Sequence, residues 1–224
     1  MSHSLAVLIS GSGSNLQALI DAIEHQGLPA RIDLVLSNRA DAGGLARAKS
    51  AGLATAVIDH RDHDSRESFD QAMVDRLAPL APDTVVLAGF MRILTPVFVR
   101  AFSDRLLNIH PSLLPKYPGL HTHRRALDAG DSQHGCSIHF VTEELDGGPL
   151  IAQAPVPVLP NDHEETLSKR VQQAEHRLYP DVVRWRAERR LFLTANGVQL
   201  DDRLLPPTGL VVPDLAAGDT ARAG

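Results

Sequence analysis

Short apolar runs alternate with helix-period segments from Leu5 to Leu87, and this rhythm constrains the fold more than any other feature of the chain. Leu5 to Ile9 reads as a strand that breaks at Ser10-Gly11-Ser12-Gly13-Ser14-Asn15. Leu16, Leu19, Ile20 and Ile23 then recur at helical spacing. The pattern repeats: Ile32 to Leu36 predicts a strand, Ala42 to Ala51 a helix closed by Gly52, and Ala54 to Ile58 a strand. Asp64 or Ser65 is placed to cap a helix running to about Ala78, with Phe69, Met73, Val74 and Leu77 on its apolar side. Asp83 to Leu87 lacks polar alternation, as expected of a central parallel strand covered on both faces. Strands alternating with helices predict an α/β fold with a doubly wound, mostly parallel sheet, right-handed crossovers and helices on both faces. With 224 residues, 43% of them hydrophobic, the chain suits one large domain, expected over residues 1–207, with a loose tail over 208–224.

Function-bearing residues concentrate at the ends of predicted strands. In Asn108-Ile109-His110-Pro111-Ser112-Leu113-Leu114-Pro115, alternation sends Asn108 and His110 to one side of a short strand and Ile109 to the other. Pro111 cannot donate to a ladder, so the strand stops just after His110, at a carboxyl end where open α/β sheets bind ligands. A second alternating strand, Cys136 to Val141, would return the Asp146-Gly147-Gly148 turn to the same edge. Amide, imidazole and carboxylate then converge on one point, as roles in a reaction must. Pro115, Pro118 and Gly119 lie in an irregular loop ending near His121-Thr122-His123, a candidate cleft wall. Val156 to Pro160 leads into Asp162-x-x-Glu165, which resembles a capping box opening a long helix with a Leu167, Val171, Ala174, Leu178, Val182 and Trp185 stripe and Glu175 beside it.

The glycine loop after the first strand is an incomplete dinucleotide fingerprint, because Leu16 stands where the third glycine belongs, and a nicotinamide cofactor becomes the lesser reading. Leu36-Ser37-Asn38 also lacks the acidic residue that would meet a ribose hydroxyl. What survives is anion binding: Gly13, Ser14 and Asn15 can present backbone N–H groups at a helix N-terminus, where the macrodipole favours a phosphate monoester. The alternative is a tight turn in which Ser14 or Asn15 only caps the helix. A net charge of −5 argues against nucleic acid as the partner and for a small molecule. A lone cysteine, Cys136, excludes an internal disulfide and fits a cytoplasmic setting. No segment approaches membrane-spanning length, and no Cys/His spacing suggests a metal; His121-x-His123 lacks a nearby third ligand.

Four motifs occur together in order: Ser10 to Gln17, Ala88-Gly89-Phe90-Met91-Arg92-Ile93-Leu94, Asn108 to Gly119, and Glu144 to Gly148. Over about residues 5–207 the chain resembles the phosphoribosylglycinamide formyltransferases, members of the folate-dependent formyltransferases of purine synthesis. The resemblance implies a Rossmann-like formyltransferase core and formyl transfer from 10-formyltetrahydrofolate to the glycinamide amine of the ribonucleotide, with no metal. By that likeness Asn108, His110 and Asp146 are catalytic. Gly13, Ser14 and Asn15 would take the substrate phosphate, and Gln172, Gln173, Ala174 and Glu175 would meet the ribose. Arg66, Met91, Arg92, Ile93, Leu94, Asn108, Thr142, Glu143, Glu144, Leu145 and Asp146 would line the folate pocket. Small-molecule substrates and a monomer or weak homodimer are expected. Related enzymes that formylate initiator tRNA or hydrolyse the formyl donor are expected to carry further domains for which this chain has no room.

Overall fold

The structure is a computed structural model and describes residues 2–212. Strand β1 (His3–Ile9) leads into α1 (Ser14–His25), and β2 (Ala30–Ser37), α2 (Gly43–Ser50) and β3 (Thr55–Val57) complete the first half. A 3-10 turn at His60–Asp62 precedes α3 (Arg66–Leu77), followed by β4 (Thr84–Leu87), α4 (Pro96–Ala101) and β5 (Leu106–His110). Helix α5 (Thr122–Asp128), strands β6 (Gln133–Phe140) and β7 (Leu150–Pro157), and the long helix α6 (Glu164–Ala187) come next. The described residues end with β8 (Leu191–Thr194), β9 (Gly197–Leu200), β10 (Arg203–Leu204) and β11 (Leu210–Val211).

The eight-stranded sheet has the order β11-β7-β6-β5-β4-β1-β2-β3, and β8, β9 and β10 form a separate antiparallel sheet. Every pairing in the large sheet is parallel except the two that β6 makes with β5 and β7. The chain winds outward from β1 in both directions, so strand order reverses between β1 and β4. The carboxyl ends of these two strands flank the crevice where such sheets bind ligands. Successive residues of β1 alternate between two cores. Leu5, Val7 and Ile9 pack with Leu16, Leu19, Val171, Leu178 and Val182 of α1 and α6; Ala6 and Leu8 pack with Phe69, Met73 and Phe98 of α3 and α4. Burial on both faces explains why these strands read as continuous apolar runs. The α6 residue Tyr179, fully buried, sets its hydroxyl 3.1 Å from Leu87 O and 3.0 Å from Leu107 O, fixing the helix over the β4–β5 seam. No helix among the described residues is long and apolar enough to cross a membrane.

Several expectations change. The α6 cap is His163, not Asp162: its ring accepts from Thr166 N at 3.2 Å, and Thr166 Oγ1 accepts from His163 N. Asp162 instead takes Leu159 N and the Arg170 guanidinium, and those bonds hold its carboxyl well below the usual range. The loop through His121 continues directly into α5. The expected boundary at residue 207 is not a structural limit either, because Leu210–Val211 pairs with Ala152–Gln153 as an edge strand. The rest of the expected tail, residues 213–224, lies outside the described residues.

Candidate active site

Three loops meet above the switch point, and Ser10 stitches two of them to β2. Its hydroxyl donates to Asn38 Oδ1 at 2.6 Å and accepts from Met91 N at 2.8 Å. Beyond it, Gly13 adopts φ 72° as the N-cap of α1, with no side chain capping the helix. The alternative of Ser14 or Asn15 as cap is not realised; both lie within the helix, whose first N–H groups stay available to an anion. Only glycine fits at Gly13, since a Cβ would stand 2.5 Å from Gly44 Cα. Gly44 in turn lets α2 approach, bringing Arg47 Nε within 2.8 Å of Ser12 O. Arg47 has no carboxylate partner among the described residues, so a guanidinium stands beside the loop with its charge unspent. From α6, Gln172 Nε2 donates to Ser14 Oγ at 3.1 Å and Glu175 Oε2 accepts from Asn15 Nδ2 at 2.8 Å. Burial pushes the Glu175 carboxyl up to about 7, opposed by the Asn15 bond.

The three residues expected to converge do so at the β5 end of the same edge. His110, nearly buried, sets Nδ1 3.5 Å from Asp146 Oδ2. Its other nitrogen lies 2.9 Å from Tyr117 O, and since a carbonyl only accepts, Nε2 carries the hydrogen. Asp146 Oδ2 also accepts from Gly119 N at 2.8 Å, binding the turn after β6 to the proline-rich loop. Asn108 Nδ2 lies 3.1 Å from His139 Nε2, while His139 Nδ1 faces Phe140 O at 2.9 Å. The carbonyl fixes the tautomer: His139 donates from Nδ1 and accepts the Asn108 amide at Nε2, and burial lowers its basicity to match. His139 was missed by sequence reasoning, although β6 alternation places it, with Ser137, opposite Cys136 and Ile138. Gly148 makes the turn possible, because a Cβ there would meet Phe140 O at 1.8 Å.

Met91 and Ile93, in the segment after β4, and Leu145, which directly precedes Asp146, are 64%, 56% and 52% exposed. Exposed large apolar side chains beside polar groups are suited to a flat, partly apolar ligand. Arg66 of α3 braces this segment by donating to Ile93 O at 2.7 Å, and Asp70 accepts from Thr95 N at 2.5 Å. Other expected lining residues contribute differently. Leu94 and Ala174 face the cores, and Glu143 turns away to pair with Arg100 at 2.8 Å. Thr142 is half-buried and Glu144 exposed at the start of the Asp146 turn; Arg92 is half-buried and Gln173 exposed. Of the two expected non-ligand histidines, His121 takes φ 59° at the start of α5, whereas His123 pairs with His134 at 3.1 Å. Arg47 carried no local signal, because a basic residue in the last turn of a short helix is ordinary.

Residues 3–183 match the formyl transferase family. The chain is 55% identical over 205 residues to the Escherichia coli phosphoribosylglycinamide formyltransferase, covering 92% of this chain and 97% of that one. It is 49% identical over 205 residues to the Haemophilus influenzae enzyme of the same name, with the same coverage. A solved phosphoribosylglycinamide formyltransferase from Coxiella burnetii superposes with a TM-score of 0.91 at 48% identity, over 95% of this chain and all of that one. With an anion cradle and an amide–imidazole–carboxylate cluster on one sheet edge, the chain belongs to the formyl transferase family, among its phosphoribosylglycinamide formyltransferases.

Proposed function

We propose that this enzyme transfers the formyl group of 10-formyltetrahydrofolate to the amine of 5'-phosphoribosylglycinamide, giving formylglycinamide ribonucleotide and tetrahydrofolate in de novo purine synthesis. The observation that carries the reading is the shared edge: an uncapped α1 N-terminus with Arg47 at one end, the His110–Asp146 pair at the other. A phosphate held at Gly13–Asn15 would anchor the ribonucleotide while its amine reaches toward β5. The lip of Met91, Ile93 and Leu145 suits the folate heterocycle, and Arg66 and Arg92 suit its carboxylates. A buried lone Cys136 fits work in the reducing cytoplasm.

The neutral amine attacks the formyl carbon, the carbonyl oxygen gains negative charge and the nitrogen positive charge. The carbon–nitrogen bond to the donor then breaks as a proton reaches the leaving nitrogen. His110 and Asn108 serve as donors to the oxygen, and Asp146 supports positive charge on the imidazole and passes the amine's proton onward. In the conformation described, His110 Nε2–H is engaged by Tyr117 O and the Asn108 amide by His139. A reacting oxygen bound by His110 must therefore replace the Tyr117 carbonyl, whereas the Asn108 amide keeps its second N–H for it; the Tyr117 carbonyl marks a position from which the ring can donate to an sp² oxygen. The deciding experiment mixes enzyme with 10-formyltetrahydrofolate and follows tetrahydrofolate release. Release only when the ribonucleotide is added supports transfer; equal release without it means hydrolysis and overturns the reading.

A further inference from the structure

The chain leaves β1 into α1 on one face of the sheet and leaves β4 into α4 on the other, so the two connections part at the carboxyl edge and open the crevice. Ser10, the first residue past β1, crosses that opening. Its N–H donates to Gly89 O at 3.2 Å and its hydroxyl accepts from Met91 N at 2.8 Å. Beyond the β1–β4 ladder, no other hydrogen bond among the described residues joins residues 10–15 to residues 88–95. The hydroxyl hydrogen is committed to Asn38 Oδ1 at 2.6 Å, which leaves a lone pair aimed at Met91 N and stops the group from turning toward a ligand. Both Ser10 and Asn38 are buried, so water does not stand in for either bond. The far end of the segment is held separately, by Arg66 donating to Ile93 O and by Asp70 accepting from Thr95 N. Those bonds refer the segment to α3. Ser10 alone refers it to the glycine loop.

We propose that Ser10 is a positioning residue for the transfer step: its hydroxyl fixes the distance between the glycine loop and the Met91–Leu94 segment, and with it the approach of the ribonucleotide amine to the formyl carbon. Transfer between two bound molecules needs reacting atoms about 3–3.5 Å apart, and a misplacement of about 1 Å costs on the order of 100-fold in rate. Ser10 touches neither substrate. Each binding surface is built within its own segment, from the first N–H groups of α1 on one side and from Met91 and Ile93 on the other. Loss of the hydroxyl therefore slows transfer between bound ligands and leaves the affinity for each ligand alone nearly intact. This inference rests on the reading that the ribonucleotide lies at the glycine loop and the folate against the segment after β4.

The test compares the wild type with Ser10→Ala, Ser10→Thr, Asn38→Ala, Ser14→Asp and Ile93→Asp, each shown to be folded by its melting temperature. Calorimetry gives Kd for the ribonucleotide alone and for tetrahydrofolate alone. Single-turnover kinetics with both substrates saturating give the transfer rate. Ser10→Ala should slow transfer about ten- to a hundredfold while both Kd values stay within about threefold of the wild type. Ser10→Thr keeps a hydroxyl and should recover most of the rate, and Asn38→Ala, which frees the Ser10 hydroxyl to rotate, should lose part of it. Transfer at the wild-type rate in Ser10→Ala overturns the proposal, whatever its melting temperature. So does a loss that Ser10→Thr fails to recover while Asn38→Ala turns over normally. Ser14→Asp should weaken only the ribonucleotide and Ile93→Asp only tetrahydrofolate. If either of those Kd values stays unchanged, the substrates lie elsewhere and the Ser10 inference falls with that reading; if both rise while Ser10→Ala transfers normally, only the Ser10 inference falls.

Discussion

The two ends of the carboxyl edge solve the same problem by opposite means. At the β1 end, positive φ falls on Gly13, and the first backbone N–H groups of α1 are left without a side-chain cap. At the β5 end, Tyr117, His121 and Asp146 take φ of 57°, 59° and 51° without being glycine. Each such residue costs on the order of 1–2 kcal/mol. Side chains from separate loops, joined by Gly119 N to Asp146 and by Tyr117 O to His110, form that wall. The first loop is unstrained and pre-built, whereas the β5 wall holds its groups against local preference, with the His110 donor already engaged by the Tyr117 carbonyl.

If chemistry resides at the β5 end alone, the largest effect comes from His110→Ala, which should lower kcat by about 100- to 1000-fold while the protein still melts cooperatively. Asp146→Asn should follow closely, because it keeps the acceptor for Gly119 N but removes the charge beside the imidazole. Saturating turnover assays check both, and near-normal rates in the two variants would erase the distinction between the ends. At the cradle, Gly13→Ala should act on stability and substrate KM together. It forces a Cβ to within 2.5 Å of Gly44 Cα at φ 72°. Denaturant unfolding should report a loss of about 2–4 kcal/mol from strain and overpacking.

Arg47→Met sharpens the contrast. It keeps the aliphatic stem but removes the guanidinium beside Ser12 O. The ribonucleotide KM should rise about tenfold, the worth of a charge-assisted contact, with kcat and the folate KM nearly unchanged. A fall in kcat instead would mean that the cradle also orders the chemistry.

The contrast explains what the sequence discloses. The cradle is legible because its backbone groups are consecutive, Ser10 to Asn15, between an apolar strand and an amphipathic helix. Asn108, His110 and Asp146 are legible by residue type and strand alternation, and Pro111 marks where β5 stops. Their partners are not: no local pattern announces that Tyr117, in a proline-rich loop, turns its carbonyl onto His110, or that His139 orients Asn108. The α6 cap was misread by one residue because Asp162 is the stronger capping residue in isolation. Tertiary context gave its carboxyl to Arg170 instead. The edge strand β11 is too short to carry an alternation, and only its pairing with β7 defines it.

The smallest prediction sets the two ends against each other through pH. Burial, then His123, pushes His134 of β6 down to about 4. Between roughly 6.5 and that value the unfolded chain binds a proton that the folded one refuses, so this end loses stability as pH falls through the window. Burial raises Glu175 at the cradle from 4.5 to about 7. There the folded chain holds the extra proton, so this end loses stability as pH rises from 4.5 toward 7. The slopes oppose each other where the windows overlap. Urea midpoints measured between pH 4 and 7.5 should resolve them: His134→Gln should remove the acid-side loss and leave the neutral-side loss, and Glu175→Gln should do the reverse. Both variants tracking the wild-type curve would mean that neither proton is coupled to folding, and that the two ends differ in backbone geometry but not in electrostatics.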